Sequence, residues 1–210
     1  MLLVKAQVQN FRSIDNAGVV EIDKDVTVFV GQNESGKTAF LKALALSRSV
    51  KATDKFDIDR DYPRKSVNDY RKAHEKDPAV VTELTYKLSA HDLKAVNTLL
   101  GVTYFDSLEF TLNHHLKNNF AVSLHVDNGP FVAHLLKDAR LTLDLRTKLG
   151  SAKTVRNLIK AMDAEDLNGE GQEYLTALKA QFAPIGNEWD NLLTYQIWNK
   201  YLSVRIPKFF

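Results

Sequence analysis

No cysteine occurs in the 210 residues, which removes a disulfide framework, a thiolate nucleophile and any Cys-type zinc site. No stretch approaches the ~18–20 consecutive apolar residues of a membrane span. The opening Met1-Leu2-Leu3-Val4-Lys5-Ala6-Gln7 is broken by polar residues too early for a signal peptide. These absences point to a cytoplasmic protein with no membrane partner. Charge of one sign is missing too, since 28 Lys and Arg against 26 Asp and Glu leave a net +2. That is too little for the whole chain to bind nucleic acid, so such a role would need a local patch. What is present is ordinary: 44% hydrophobic and 26% charged residues suit one large or two small globular domains.

Along the chain, Leu2, Val4, Ala6 and Val8 alternate with polar residues, which predicts a strand ending near Phe11. After the polar stretch Arg12 to Asn16, Val19 to Ile22 reads as a second strand, antiparallel to the first, with Asp23-Lys24-Asp25 as its turn. Val26-Thr27-Val28-Phe29-Val30 is β-branched and nearly all apolar, which predicts a strand buried on both faces in the middle of an α/β sheet. From Lys37 the period becomes helical, to about Arg48. Residues 51–78 are polar and read as an inserted loop with one short helix around Ser66 to Lys76. Val80 to Leu88 predicts a strand and Ser89 caps a helix through Leu100. Tyr104 to Leu112 and Phe120 to Val126 form a hairpin in a second β-layer. Beyond Pro130 the pattern is helical to about Tyr201, broken near Gly150, Asn168 to Gly171 and Pro184 to Asn187. One face carries Leu175, Leu178 and Phe182, another Trp189, Leu193 and Ile197.

The chemistry concentrates in Gly31-Gln32-Asn33-Glu34-Ser35-Gly36-Lys37-Thr38. In G-x-x-x-x-G-K-[ST], successive backbone N–H groups wrap phosphates at a helix N-terminus, where partial positive charge favours an anion. Gly31 and Gly36 permit the turn and close approach. The backbone of Asn33, Glu34, Ser35, Gly36 and Lys37 supplies the cradle, Lys37 reaches the β- and γ-phosphates, and the Thr38 hydroxyl holds magnesium. The expected cofactors are ATP or GTP with a magnesium ion.

Around this loop the sequence resembles the ABC-type ATPases that act on DNA, the SMC, RecF and OLD (overcoming lysogenization defect) families. The resemblance rests on Val8-Gln9-Asn10-Phe11-Arg12-Ser13-Ile14, Val28-Phe29-Val30-Gly31 and Asn33 to Thr38, in order and spacing. It implies a nucleotide-site role for Arg12, whose family counterpart lies near the phosphates; a guanidinium's fixed fork of donors suits that task. Phe56-Asp57-Ile58-Asp59-Arg60-Asp61-Tyr62-Pro63-Arg64 resembles a stretch following the P-loop helix in OLD-like ATPases, with no chemical role attached to it. The resemblance covers about the first 65 residues. The fold class it implies is α/β: a P-loop NTPase, ABC-type N-terminal lobe, with antiparallel strands beside the P-loop strand and a helical second half. The expected organisation is a lobe over 1–130 with the insertion at 51–78, a helical subdomain of coiled-coil or arm-like character over 131–205, and the start of a further core strand at 206–210. The implied partners are a second copy of the ATPase core, DNA, and a nuclease domain or subunit, in DNA processing or anti-phage defence.

Other parts of an ABC site are missing. No apolar run leads into Asp-Glu; Val122-Ser123-Leu124-His125-Val126-Asp127 comes nearest and lacks the glutamate. Leu167-Asn168-Gly169-Glu170-Gly171-Gln172 resembles the L-S-G-G-Q signature superficially and reads as an interhelical loop. No catalytic residue is therefore assigned. The chain is expected to be the N-terminal piece of a longer ATPase that binds nucleotide but hydrolyses it weakly alone. A self-contained small kinase and a non-hydrolysing, ATP-dependent assembly module are the alternatives. Asp57, Asp59 and Asp61 lack the glycine and glutamate of a calcium loop and read as turn caps. His114-His115 reads as a hairpin end. Arg140, Arg146, Lys148, Lys153, Arg156 and Lys160 cluster in sequence, with Lys153, Arg156 and Lys160 at helical spacing, and read as a solvated face that could otherwise track a phosphate backbone.

Overall fold

The computed structural model describes residues 1–32, 35–63, 74, 77–101, 105–182 and 192–209. They form two compact units, one of Met1–Leu93, Ser107–Leu124 and Ile206–Phe210, the other of Lys94–Asp106 and His125–Arg205.

The first unit is built on a five-stranded antiparallel sheet in the order β2-β1-β3-β4-β5. Its strands are β1 (Leu2–Phe11), β2 (Ile14–Glu21), β3 (Val80–Lys87), β4 (Glu109–His115) and β5 (Phe120–Leu124). Alternation in β1 places Ala6 and Val8 inside, and Phe11 closes the strand against Phe56, ring centroids 5.9 Å apart at 75°. On the same sheet Leu84, Tyr86, Phe110 and Leu112 are buried, with the Tyr86 and Phe110 rings stacked at 5.4 Å. Helix α1 (Lys37–Ser47) lies on β1 and β3 and buries Ala39, Phe40, Ala43 and Leu46, the i, i+4, i+7 stripe expected of a helix with one covered face. A short helix α2 (Ile58–Asp61) is capped by Asp57, whose side chain accepts from the Arg60 N–H.

Three expectations fail here. The second strand begins at Ile14, not Val19, because Phe11 pairs with Ile14 and leaves a two-residue turn of Arg12 and Ser13. Val26 to Val30 is not a strand, and Val26, Val28 and Val30 are 71%, 73% and 86% exposed. β-Branched residues favour a strand only where a neighbouring strand offers a ladder. Both edges of β1 are taken, by β2 and β3, and no described strand pairs with Val26 to Val30. Phe29 alone packs inward, 5.0 Å from the Phe40 ring. The hairpin of β4 and β5 likewise forms no second layer; it continues the same sheet through β3.

Helix α3 (Ala90–Leu100) follows β3. Ser89 and Asp92 cap it reciprocally, the Asp92 N–H donating to Ser89 Oγ at 3.3 Å and the Ser89 N–H to Asp92 Oδ2 at 3.1 Å. The Asp92 carboxylate also holds the N-terminal ammonium at 2.6 Å. The second unit packs α4 (Asn128–Leu135), α5 (Leu143–Leu149), α6 (Val155–Asp163), α7 (Gly169–Phe182) and α8 (Leu192–Ile197), which runs into a π-helical turn at Trp198–Leu202. Leu175, Leu178 and Phe182 are buried on one face of α7, with Phe182 edge-on to Phe131 at 6.4 Å. Leu193 and Ile197 are buried on α8. Trp189, the Pro184 to Asn187 break and all of the expected Ser66 to Lys76 helix except His74 lie outside the described residues. Among the described residues no helix is long and apolar enough to cross a membrane.

Candidate functional site

Gly36 is the pivot of the glycine loop. It is the N-cap of α1 at φ +92°, and its carbonyl accepts the first helical bond from Phe40 at 2.8 Å. A Cβ there would stand 3.3 Å from Ile14 Cγ1 and 3.8 Å from Ser13 Oγ. Glycine is thus required twice, by the left-handed backbone and by the approach of the β1–β2 turn. No side chain caps α1 and no acidic residue occupies its first turn, so its N-terminal N–H groups keep their partial positive charge for an anion.

Lys37 reaches back over this loop. Its Nζ donates to the Gly31 and Gln32 carbonyls at 2.7 and 2.5 Å and to Ser35 Oγ at 3.1 Å. These are exposed neutral partners, which phosphate oxygens can replace with stronger charge-assisted bonds. Thr38 is exposed on the first turn of α1. The donor set therefore suits a nucleotide phosphate, with Lys37 for charge and the Thr38 hydroxyl for a magnesium ion. Asn33 and Glu34 lie outside the described residues.

Arg12 sits in the turn that packs on Gly36. It has φ +52°, a conformation non-glycine residues rarely adopt and one that the surroundings must hold. Asp61 does the holding. The Arg12 N–H donates to the Asp61 carbonyl at 2.7 Å, and its Nε and Nη2 donate to Asp61 Oδ1 at 3.1 and 2.9 Å. Asp61 is fully buried and also takes Arg60 Nε and Nη2, at 3.2 and 3.0 Å, and the Asp57 N–H at 3.1 Å. Burial alone would push its carboxyl up; the Arg60 bond, the Asp57 N–H and Arg12 together outweigh it and carry it below the usual carboxylate range. Arg12 Nη1 is not consumed by this network, and the guanidinium carbon lies 5.2 Å from the Phe11 ring centroid.

Asp61 and Arg60 were not singled out as site residues from the sequence. The only signal was the Phe56 to Arg64 stretch, and the fold explains what it does: it threads a carboxylate under Arg12. The Asp57, Asp59 and Asp61 series is a cap and an ion-pair centre, and no group of three or more His, Asp or Glu among the described residues could hold a metal ion.

The remaining candidates resolve into structural roles. Asp127 does not end a strand; β5 stops at Leu124 and Asp127 caps α4 by accepting from the Gly129 N–H. Asn168 caps α7 through the Gly171 N–H at 2.8 Å. Lys153 precedes α6 and its cap Thr154 and so does not share a helical face with Arg156 and Lys160. Arg140 is paired with Asp138 at 2.8 Å and lies 4.5 Å from the Tyr174 ring centroid, Arg146 donates to the Leu141 and Asp138 carbonyls, and Lys148 pairs with Asp144 and Glu165. These three cations brace the second unit.

The family model described as an AAA ATPase domain matches residues 1–201. The chain belongs to that AAA ATPase family. The fold is accordingly α/β, of the P-loop ATPase kind, and the family implies nucleotide binding. Seven chains among solved structures match. One, from work on the structural biochemistry of ATP-driven dimerization and DNA-stimulated activation of SMC ATPases, has a TM-score of 0.33 and 17% sequence identity, covering 85% of this chain and 99% of that one. No curated protein matches.

Proposed function

We propose that this AAA ATPase domain is the ATP-binding N-terminal lobe of an ABC-type ATPase of the SMC, RecF and OLD group, and of the OLD-like kind. The observation that carries this reading is the seat of Arg12. Its two-residue turn lies against Gly36 of the glycine loop while Asp61 fixes the guanidinium from below, an arrangement suited to a second cation on the phosphates beside Lys37. ATP and magnesium are the cofactors: the α1 N-terminus, Lys37 and Arg12 take phosphate charge and Thr38 takes the metal, which would polarise the γ-phosphate. In this reading nucleotide binding drives pairing of two ATPase cores, a switch that serves DNA processing or phage defence, with a nuclease domain or subunit as a further partner.

The test is binding of a fluorescent ATP analogue with magnesium to the purified 210-residue chain. Lys37→Ala should weaken it about 10- to 100-fold, the range for losing charge-assisted hydrogen bonds, and Arg12→Ala less. Light scattering should rise on adding ATP and magnesium. Hydrolysis by the isolated chain should stay below about 1 per second, the low end of ordinary enzyme turnover; faster turnover, or undiminished binding by Lys37→Ala, would refute the reading.

A further inference from the structure

Val26 to Val30 has the disposition of a strand without the partner of one. Its side chains alternate with a strand's two-residue period, Val26, Val28 and Val30 turned to solvent and Thr27 and Phe29 partly covered. The N–H and carbonyl groups of Thr27, Val28, Phe29 and Val30 make no hydrogen bond among the described residues. The segment is nonetheless fixed at both ends. On its N-terminal side the Asp23 N–H donates to Thr27 Oγ1 at 2.9 Å, and Asp23 Oδ1 accepts the Asp25 N–H at 2.8 Å. Further along, Phe29 packs on Phe40 of α1, and the Gly31 carbonyl takes the Lys37 ammonium at 2.7 Å. An open strand edge is normally blunted by a charge, a proline or a bulge, and these five residues contain no charge and no proline. Their backbone is a template for another strand.

The residues themselves specify which strand fits. When two copies pair antiparallel about Val28, Val28 faces the partner's Val28, Val26 faces the partner's Val30, and Thr27 faces the partner's Phe29. Every such pair joins β-branched or aromatic residues, the kinds that stabilise one another across strands. The charges agree with that register. Asp25 is exposed and paired with the equally exposed Lys24 at 3.5 Å; it falls opposite the partner's Gly31, whose carbonyl holds the Lys37 ammonium of that copy. A parallel pairing in register sets Asp25 against Asp25 and Lys24 against Lys24, and like charges directly opposite are destabilising.

We propose that Val26 to Val30 is a self-pairing edge, through which two copies of this chain associate by antiparallel strand addition about Val28. Each copy brings its Asp25 to the glycine loop of the other. Pairing satisfies the open backbone groups and covers the flanks of the valines. Five residues a side is a small contact, so the dimer is weak, with a Kd on the order of 0.1 mM. It needs no nucleotide, which separates it from the ATP-driven pairing proposed above.

The test is sedimentation equilibrium of the whole chain without nucleotide, from about 10 µM to about 1 mM, a range that brackets the expected Kd. A reversible monomer–dimer equilibrium is expected. Val28→Lys, at an exposed position where the two-fold axis sets like charges face to face, should weaken it about 10-fold, and Asp25→Lys should weaken it less. Cross-linking reads the register, and the chain has no cysteine of its own to interfere. Directly opposed residues of an antiparallel pair stand roughly 4.5–5.5 Å apart at Cα, within disulfide reach. Under a mild oxidant Val28→Cys should therefore form a disulfide dimer, and so should an equal mixture of the Val26→Cys and Val30→Cys proteins. Val26→Cys alone, and Val19→Cys as an exposed control on β2, should lag far behind. A chain still monomeric at about 1 mM, a dimer indifferent to Val28→Lys, open-ended association beyond the dimer, or either lagging variant cross-linking as fast as Val28→Cys would each overturn the proposal and leave the edge to a strand of another protein. All are read on nucleotide-free protein, so none of them bears on the ATPase reading.

Discussion

Two residues carry the sharpest consequences of local geometry. Gly36→Ala places a Cβ against Ile14 at 3.3 Å on a backbone at φ +92°. We expect a loss of about 1–3 kcal/mol, the scale for a non-glycine residue held in a sparsely populated region, and loss of nucleotide binding, measured by thermal melts and analogue fluorescence. Asp61 behaves differently. Its own carboxylate is buried, but the Arg12 and Arg60 side chains are 36% and 59% exposed, so they regain water when it is removed. Asp61→Ala should therefore cost about 1.5–3 kcal/mol, below the ~3–5 of a fully buried pair. A double-mutant cycle with Arg12→Ala in urea should show coupling, since the two side chains bond directly. The glycine pattern can be read from the sequence because it is local, and the structure adds the left-handed Gly36 at the start of α1. Asp61 cannot, because the partner it serves is 49 residues away and only the folded sheet brings the two together.

At the scale of elements, alternation located β1 and β3 and caps located α3, since a period and a cap are short-range properties. Val26 to Val30 shows where that logic stops. Its composition suits a buried strand, yet a strand's stability resides in its neighbours, and the described residues offer none. Val28→Thr should accordingly change stability by less than about 0.5 kcal/mol, as for other exposed positions, whereas a core valine replaced by a buried hydroxyl would cost several times more. Urea midpoints of the two proteins decide between these. The β2 start was misplaced for a related reason: two-residue hairpin turns usually announce themselves with glycine or asparagine, and Arg12-Ser13 does not. Within the helical unit, Thr154 accepts from the Asn157 N–H at 3.2 Å, and Thr154→Ala should cost about 1 kcal/mol as a lost N-cap.

For the whole molecule, the response to acid combines groups with opposite charge and distinct windows. His114 has a folded pKa of about 4 against an ordinary 6.5. The unfolded chain thus binds the extra proton between these values, and the stability present above pH 6.5 is lost as pH falls towards 4. That interval corresponds to on the order of 3 kcal/mol. The carboxylates act lower down. Asp138, drawn down to about 2 first by its hydrogen bond from Arg140, and Asp61, also depressed, give stability that persists above about pH 4 and is lost only as pH falls through their lowered folded values. Urea unfolding followed by the circular dichroism of the sheet should therefore show a first decline between pH 6.5 and 4 that His114→Gln removes, and a second below pH 4 that it leaves in place. A decline unaffected by His114→Gln would assign the titration elsewhere.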